Sequence, residues 1–244
     1  MEVSAWYLDW KFWSAVVAWL SFTMNVAPWF IRKAKGTTLR ISPLHSISLS
    51  HKIGITNLQW HLKFENDGGS TLNVERVYLD ISSDKGQIRI PAFSYFEKNP
   101  ADQTVFAGLR LKPGEIWQGF LWFNEDLARE QYRELRLIEA ETRAELNRGR
   151  AQFPDRPVQV IGPQLLARIN QFFESTFKLT ATEYQVSVTA ECKERVFSYP
   201  GYRFTLYEGD ISELRSHTIR YLSGDGVSWY SDTSTWMSVT ARKN

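Results

Sequence analysis

From Phe12 to Ile31 the sequence FWSAVVAWLSFTMNVAPWFI holds no ionisable side chain, and Lys11 and Arg32 bracket it. As a helix these 20 residues extend about 30 Å, at about 1.5 Å per residue, which matches the hydrocarbon core of a bilayer. Tyr7, Trp10 and Trp13 at one end and Trp29 at the other place amphipathic rings where headgroups lie. A cleavable signal peptide fits poorly, because Glu2 and Asp9 outnumber Lys11 in the head and Ala27 is followed by Pro28. A buried core helix is the competing reading, since Ser14, Ser21, Thr23 and Asn25 dilute the apolarity. The expectation is a transmembrane helix.

Orientation follows from basic residues. Arg32, Lys33, Lys35, Arg40, Lys52 and Lys63 come before any acid on the carboxy-terminal side, whereas the head carries only Lys11. Residues 1–35 therefore read as an extracytoplasmic tail, a transmembrane helix and a basic flank, with Trp10, Trp13, Trp29, Arg32, Lys33 and Lys35 at the membrane interface. Residues 36–244 read as cytoplasmic, in a bacterium on the inner face of the inner membrane with the amino terminus outside. The lone Cys192 agrees with a reducing compartment.

Ser14, Ala18, Ser21 and Asn25 recur every three or four residues and share one stripe of that helix. Hydrocarbon offers an amide no partner, so Asn25 favours bonding to an identical helix, at roughly 0.6 to 2 kcal/mol per contact. Pro28 removes one backbone hydrogen bond near the inner end. Two readings stay open: a seam that packs a dimer or small bundle, or the lining of a narrow ion path in a ring of helices.

The remaining residues are mostly those of a water-exposed fold. Hydrophobic residues at 43% and charged ones at 23% exclude a disordered chain and a multi-span transporter, and a net charge of +2 does not call for duplex DNA. Thr37–Ile41 and Asn57–Phe64 read as strands, the second alternating with Leu58, Trp60, Leu62 and Phe64 on one face. Further strands are expected at Leu72–Ile81, Gly86–Ile90, Ile116–Phe123, Tyr184–Glu191, Tyr202–Tyr207, His217–Leu222 and Thr235–Thr240. A helical insertion at about 124–177 interrupts them. Its first helix starts from Asn124 as cap, with Glu125–Arg129 and Glu139–Arg143 pairs four apart. A Pro-rich stretch, FPDRPVQVIGP, leads to a second helix with Leu165, Leu166, Ile169, Phe172, Phe173 and Phe177 on its apolar side.

The run FEN (64–66), the turn DGG, the strand LNVERVYLDI and the later LKPGEIWQGFLWF together resemble the cytoplasmic immunoglobulin-like β-sandwich of single-pass bacterial membrane proteins. The resemblance covers Gly36 to Phe123. It implies a mainly β fold, a sandwich carrying the helical insertion behind an N-terminal transmembrane helix, and transfers no functional residue. The layout is also similar to that of membrane effectors in bacterial antiviral defence, where a β-rich module controls a membrane-disrupting oligomer.

No enzyme constellation is present in the sequence. His45, His51, His61 and His217 lack acids or thiols at metal-ligand spacing, no phosphate loop or nucleophile elbow occurs, and neither a metal nor a cofactor is implied. Arg203, Arg215 and Arg220 interleave with Tyr202 and Tyr207 near the carboxy terminus, a mix suited to a nucleotide, an oligonucleotide or a protein partner. The expected function is a self-associating inner-membrane protein, an oligomeric effector or ion channel governed by its cytoplasmic domain. The alternative is a passive membrane-anchored binding or adaptor module.

Overall fold

A computed structural model describes residues 10–156, 158–193, 195–227 and 236–243, and within them the side chains of residues 29, 31–33 and 200 are not described. The head residues 1–9 and the start of the expected strand at Thr235 lie outside that description, as do the side chains of Trp29, Arg32 and Lys33. Helix α1 (Trp10–Ala34) leads through a short turn into β1 (Leu39–Lys52) and β2 (Ile55–Asn66). The hairpin between them turns on Ile53 and Gly54, both at positive φ (48° and 85°), the two-residue geometry that matches strand twist. A β-branched residue rarely adopts this conformation. Here Ile53 is fully buried and its carbonyl accepts a 2.7 Å hydrogen bond from Thr176, so tertiary contacts hold the turn.

Leu58, Trp60, Leu62 and Phe64 all point into the core, as their alternation predicts. Trp60 is buried completely and its indole N–H requires a partner. The irregularity in β1 between Pro43 and Ile47 supplies it: the Leu44 carbonyl accepts from Trp60 at 2.8 Å. Asn66, also fully buried, closes β2. It donates to the carbonyls of Ser70 (2.8 Å) and Leu111 (2.9 Å) and accepts from the Gly68 N–H (3.0 Å), fixing the DGG turn.

The strands that follow are β3 (Leu72–Ser83), β4 (Gly86–Phe96), the short β5 (Thr104–Val105) and β6 (Leu109–Leu111), β7 (Ile116–Asn124), β8 (Thr182–Cys192), β9 (Arg195–Leu206), β10 (Met237–Thr240) and β11 (Arg242–Lys243). They form one antiparallel sheet in the order β10-β1-β2-β7-β4-β3-β8-β9-β11. The fold is mainly β, as expected, but it is not the pair of separate sheets of an immunoglobulin-like sandwich. Two segments turn the corners. In β4, residues 86–91 pair with β3 and residues 92–96 with β7, across a register shift at Ala92/Ser94. In the closing segment, β10 pairs with β1 and β11 with β9, with only buried Ala241 between them, its N–H on the His45 carbonyl. The sheet thus closes on itself as a near-barrel, which removes the exposed edges of an open sandwich.

Helices α2 (Arg129–Gln152) and α3 (Pro163–Thr176) cover the hairpin end of this barrel. Leu135, Ile138 and Leu146 of α2 join Leu165, Ile169, Phe172 and Phe173 of α3 around Ile53 and Ile55 in a second core. Arg168 ties the helices, reaching Glu134 and Glu141 at 2.7 Å each. The first helix begins later than Asn124. Glu125 lies ahead of it, buried and paired with Lys178, and Gln131 accepts the Ala128 N–H at 3.2 Å in the first turn. Glu139 reaches Lys52 of β1 at 2.6 Å, an ion pair to the barrel.

Helix α4 (Glu208–Ser216) follows β9 and runs into a 3-10 helix at His217–Ser223 where a strand is expected. The seam of the barrel is already occupied by residues 237–243, so no sheet edge remains for HTIRYL. Its Tyr221 instead buries in the second core. Pro200 and Gly201 form a bulge inside β9, which begins at Arg195, ahead of the strand expected from Tyr202: Val188 faces Tyr199 and Val186 faces Tyr202, with Gly201 at φ 109°.

Candidate functional site

Helix α1 spans 25 residues, about 37 Å at about 1.5 Å per residue. None of its described residues is buried, and neither core includes one. Trp10 (78% exposed), Trp19 (70%) and Met24 (76%) stand free on different sides, with Trp13, Phe22 and Phe30 also exposed. A core helix would not present such a surface. Ser14, Ala18, Ser21 and Asn25 lie exposed on their stripe. Asn25 donates to the Ser21 carbonyl (2.7 Å), Ser14 to Lys11 (2.9 Å) and Thr23 to Leu20 (2.9 Å). No helix among the described residues is long and apolar enough to cross a membrane. The stripe residues, Thr23 and the amphipathic tryptophans account for the shortfall in apolarity.

The exit of α1 is fastened to the barrel. The Gly69 N–H donates to the Gly36 carbonyl at 2.8 Å, and Arg40 pairs with Asp67 at 2.7 Å. The turn fixed by Asn66 is therefore the seat of the α1–β1 junction. Gly68 packs so closely that an added Cβ would lie 2.7 Å from the Gly36 carbonyl.

The five residues proposed for a ligand do not converge. Along β9, Tyr202, Phe204 and Leu206 point inward while Arg203 and Thr205 point outward, the period-two consequence of a strand. Tyr202 is a core residue, edge-on to Trp60 with centroids 5.5 Å apart, so it meets no ligand. Arg215 reaches Glu174 at 2.7 Å and covers the rings of Phe173 and Phe177. Arg220 lies 3.8 Å from Asp225 in the 3-10 helix. Only Arg203 and Tyr207 share a cleft, of about 420 Å³, at the seam of the barrel beside α4. Other clefts among the described residues include one of about 530 Å³ between α2 and the hairpin, one of about 760 Å³ along the 3-10 helix and one of about 280 Å³ beside Cys192.

A buried histidine at the hairpin end escapes sequence reasoning, since no motif surrounds it. His51 Nε2–H donates to the Leu214 carbonyl (2.8 Å), while Nδ1 accepts the Gly54 N–H (3.2 Å). The rings of Phe173, Phe177 and His217 surround it, and the Tyr221 hydroxyl lies 3.4 Å from Nδ1. Burial lowers its pKa to about 4, the Leu214 hydrogen bond opposes that and the nearby His217 adds to it. Burial likewise raises the Tyr221 phenol and the Cys192 thiol, the latter with help from Glu75, conditions that leave the thiol protonated and inert. No group of His, Cys, Asp and Glu among the described residues could hold a metal ion. No family model, curated protein or solved structure matches the chain.

Proposed function

We propose that the protein is a single-pass inner-membrane effector whose α1 enters lipid and self-associates through Ser14, Ala18, Ser21 and Asn25, with the near-barrel on the cytoplasmic side. The observation that carries this reading is the exposure of α1: Trp10, Val17, Trp19, Leu20, Phe22 and Met24 are all exposed, around the face that the small and polar stripe leaves. Contiguous apolar surface of that extent requires a cover. Lipid suits the Trp, Val and Phe positions, and copies of the same stripe suit the small and polar ones. A helix too polar to cross alone becomes tolerable in hydrocarbon when its polar edge meets its own kind. The fastening of α1 at Gly36 and Asp67 would transmit a change in the barrel to that assembly. By analogy of layout, bacterial defence is the setting.

The test uses single cysteines at Ser21 and at Val16, on the opposite side of the helix, in a Cys192→Ser background, in membranes washed with carbonate. Retention in the pellet with oxidative dimers at Ser21→Cys and not at Val16→Cys is the expected result. Release of the chain into the wash refutes the membrane reading. Retention with equal, or no, cross-linking at both positions refutes the self-associating stripe and leaves the passive anchor.

A further inference from the structure

Residues Arg203 and Arg242 stand directly opposite each other on β9 and β11. Opposed side chains on an antiparallel pair start about 5 Å apart at Cβ, and like charges there destabilise the sheet. Glu183 lies 3.6 Å from Arg203, with both side chains half exposed, and Arg242 has no ion pair among the described residues. Asp210 lines the same cleft, but one of its oxygens already accepts the Tyr207 N–H at 2.8 Å in the first turn of α4. The cleft of about 420 Å³ therefore sets two guanidinium groups against Glu183 and Asp210, and of the two cations Arg242 is the one without an ion pair among the described residues. Its size falls in the range of small-molecule sites, about 300 to 1,000 Å³. Tyr207 stands at the rim, 69% exposed and without a ring contact among the described residues.

We propose that this seam cleft binds a soluble nucleoside di- or polyphosphate. Arg203 and Arg242 donate to the phosphate oxygens, Tyr207 stacks on the base, and Glu183 accepts from ribose hydroxyls. The anion cancels the repulsion built into the β9–β11 pair. A lipid phosphate is a poor occupant. Thr240 in the cleft wall pairs with Ser46, seven positions along β1 from Leu39, which puts the site about 20 Å from the α1 junction at about 3.3 Å per residue. The inference does not depend on α1 entering lipid.

The experiment titrates the full chain with inorganic pyrophosphate, ADP and adenosine separately, by calorimetry and by thermal shift. Pyrophosphate and ADP bind, ADP more tightly, and adenosine weakest. Arg203→Gln and Arg242→Gln each weaken both phosphates by about tenfold or more, the size of a lost charge-assisted hydrogen bond. Without ligand, Arg242→Gln melts no lower than the wild type, because it relieves a like-charge pair, so its loss of binding does not reflect misfolding. Tyr207→Ala removes the advantage of ADP over pyrophosphate. No binding of either phosphate at millimolar concentration, or binding unchanged in Arg242→Gln, overturns the site. ADP no tighter than pyrophosphate overturns the nucleoside assignment.

Discussion

Acidification acts on His51 in a way the structure quantifies. In the native chain the ring is neutral, its Nε2–H bound to the Leu214 carbonyl and its Nδ1 occupied by the Gly54 N–H, so a second proton has nowhere favourable to go. Burial lowers its pKa from 6.5 to about 4. Between those values the unfolded chain binds a proton and the folded chain does not, so stability is present above pH 6.5 and is lost as pH falls. At about 1.4 kcal/mol per pH unit the full loss is about 3 kcal/mol, most of it complete by about pH 4.5. His217, also lowered by burial and by Arg220 and opposed by Glu213 and Asp225, works in the same direction. Glu65 and Glu134, held low by Lys63 and Arg168, contribute only below about pH 4.5. Urea unfolding followed by tryptophan fluorescence, from neutral pH down to about pH 4.5, separates these terms when the wild type is compared with His51→Gln. The glutamine amide still reaches the Leu214 carbonyl but does not titrate. The wild type should lose about 2 to 3 kcal/mol more than the variant over that range. Parallel stability curves would refute the assignment of a buried neutral imidazole.

Other perturbations probe the rest of the architecture. Gly54→Ala forces a side chain into positive φ with its Cβ 2.7 Å from the Phe173 carbonyl, and should cost about 2 to 4 kcal/mol in thermal or urea unfolding. Asn66→Ala leaves the Ser70 and Leu111 carbonyls and the Gly68 N–H without their partner; a loss of roughly 3 kcal/mol is expected, and amide exchange should quicken first in the 67–70 turn. If α1 enters lipid and self-associates as proposed, Asn25→Leu should keep the chain in the membrane fraction and weaken the oligomer by about 1 kcal/mol per contact. In planar bilayers any wild-type conductance should fall with that substitution, and a conductance unaltered by it, or absent in both, removes the channel reading.

Local chemistry made the centre of the barrel readable. Leu58, Trp60, Leu62 and Phe64 alternate with polar neighbours, and the FEN-DGG turn places glycines where the backbone must pack tightly. The far half of β1 was also encoded, since Ile47 and Leu49 alternate with Ser46, Ser48 and Ser50, but Pro43 and the serine content mask a strand that runs on to Lys52. The closure was not legible. It depends on Ala92 and Ala241 marking corners, and what they join lies far apart in sequence. HTIRYL shows why a short period-two pattern is weak evidence: with the barrel seam filled, the same residues wind into a 3-10 helix. Among the ligand candidates, strand alternation alone separates Arg203 from Tyr202. The pairing of Arg203 with Arg242 required knowing which strands meet.

The stretch Met237–Lys243 works as a clasp, one half gripping β1 and the other β9. Without it, the sheet would keep two raw margins, β1 and β9, each able to pair with a stranger. Emergence of these seven residues converts a ribbon open to misassembly into a sealed ring. Synthesis interrupted shortly before this point should yield intermolecular sheet aggregates, whereas a comparable interruption within the α2–α3 cap would leave β8 and β9 unmade and the layer unformed.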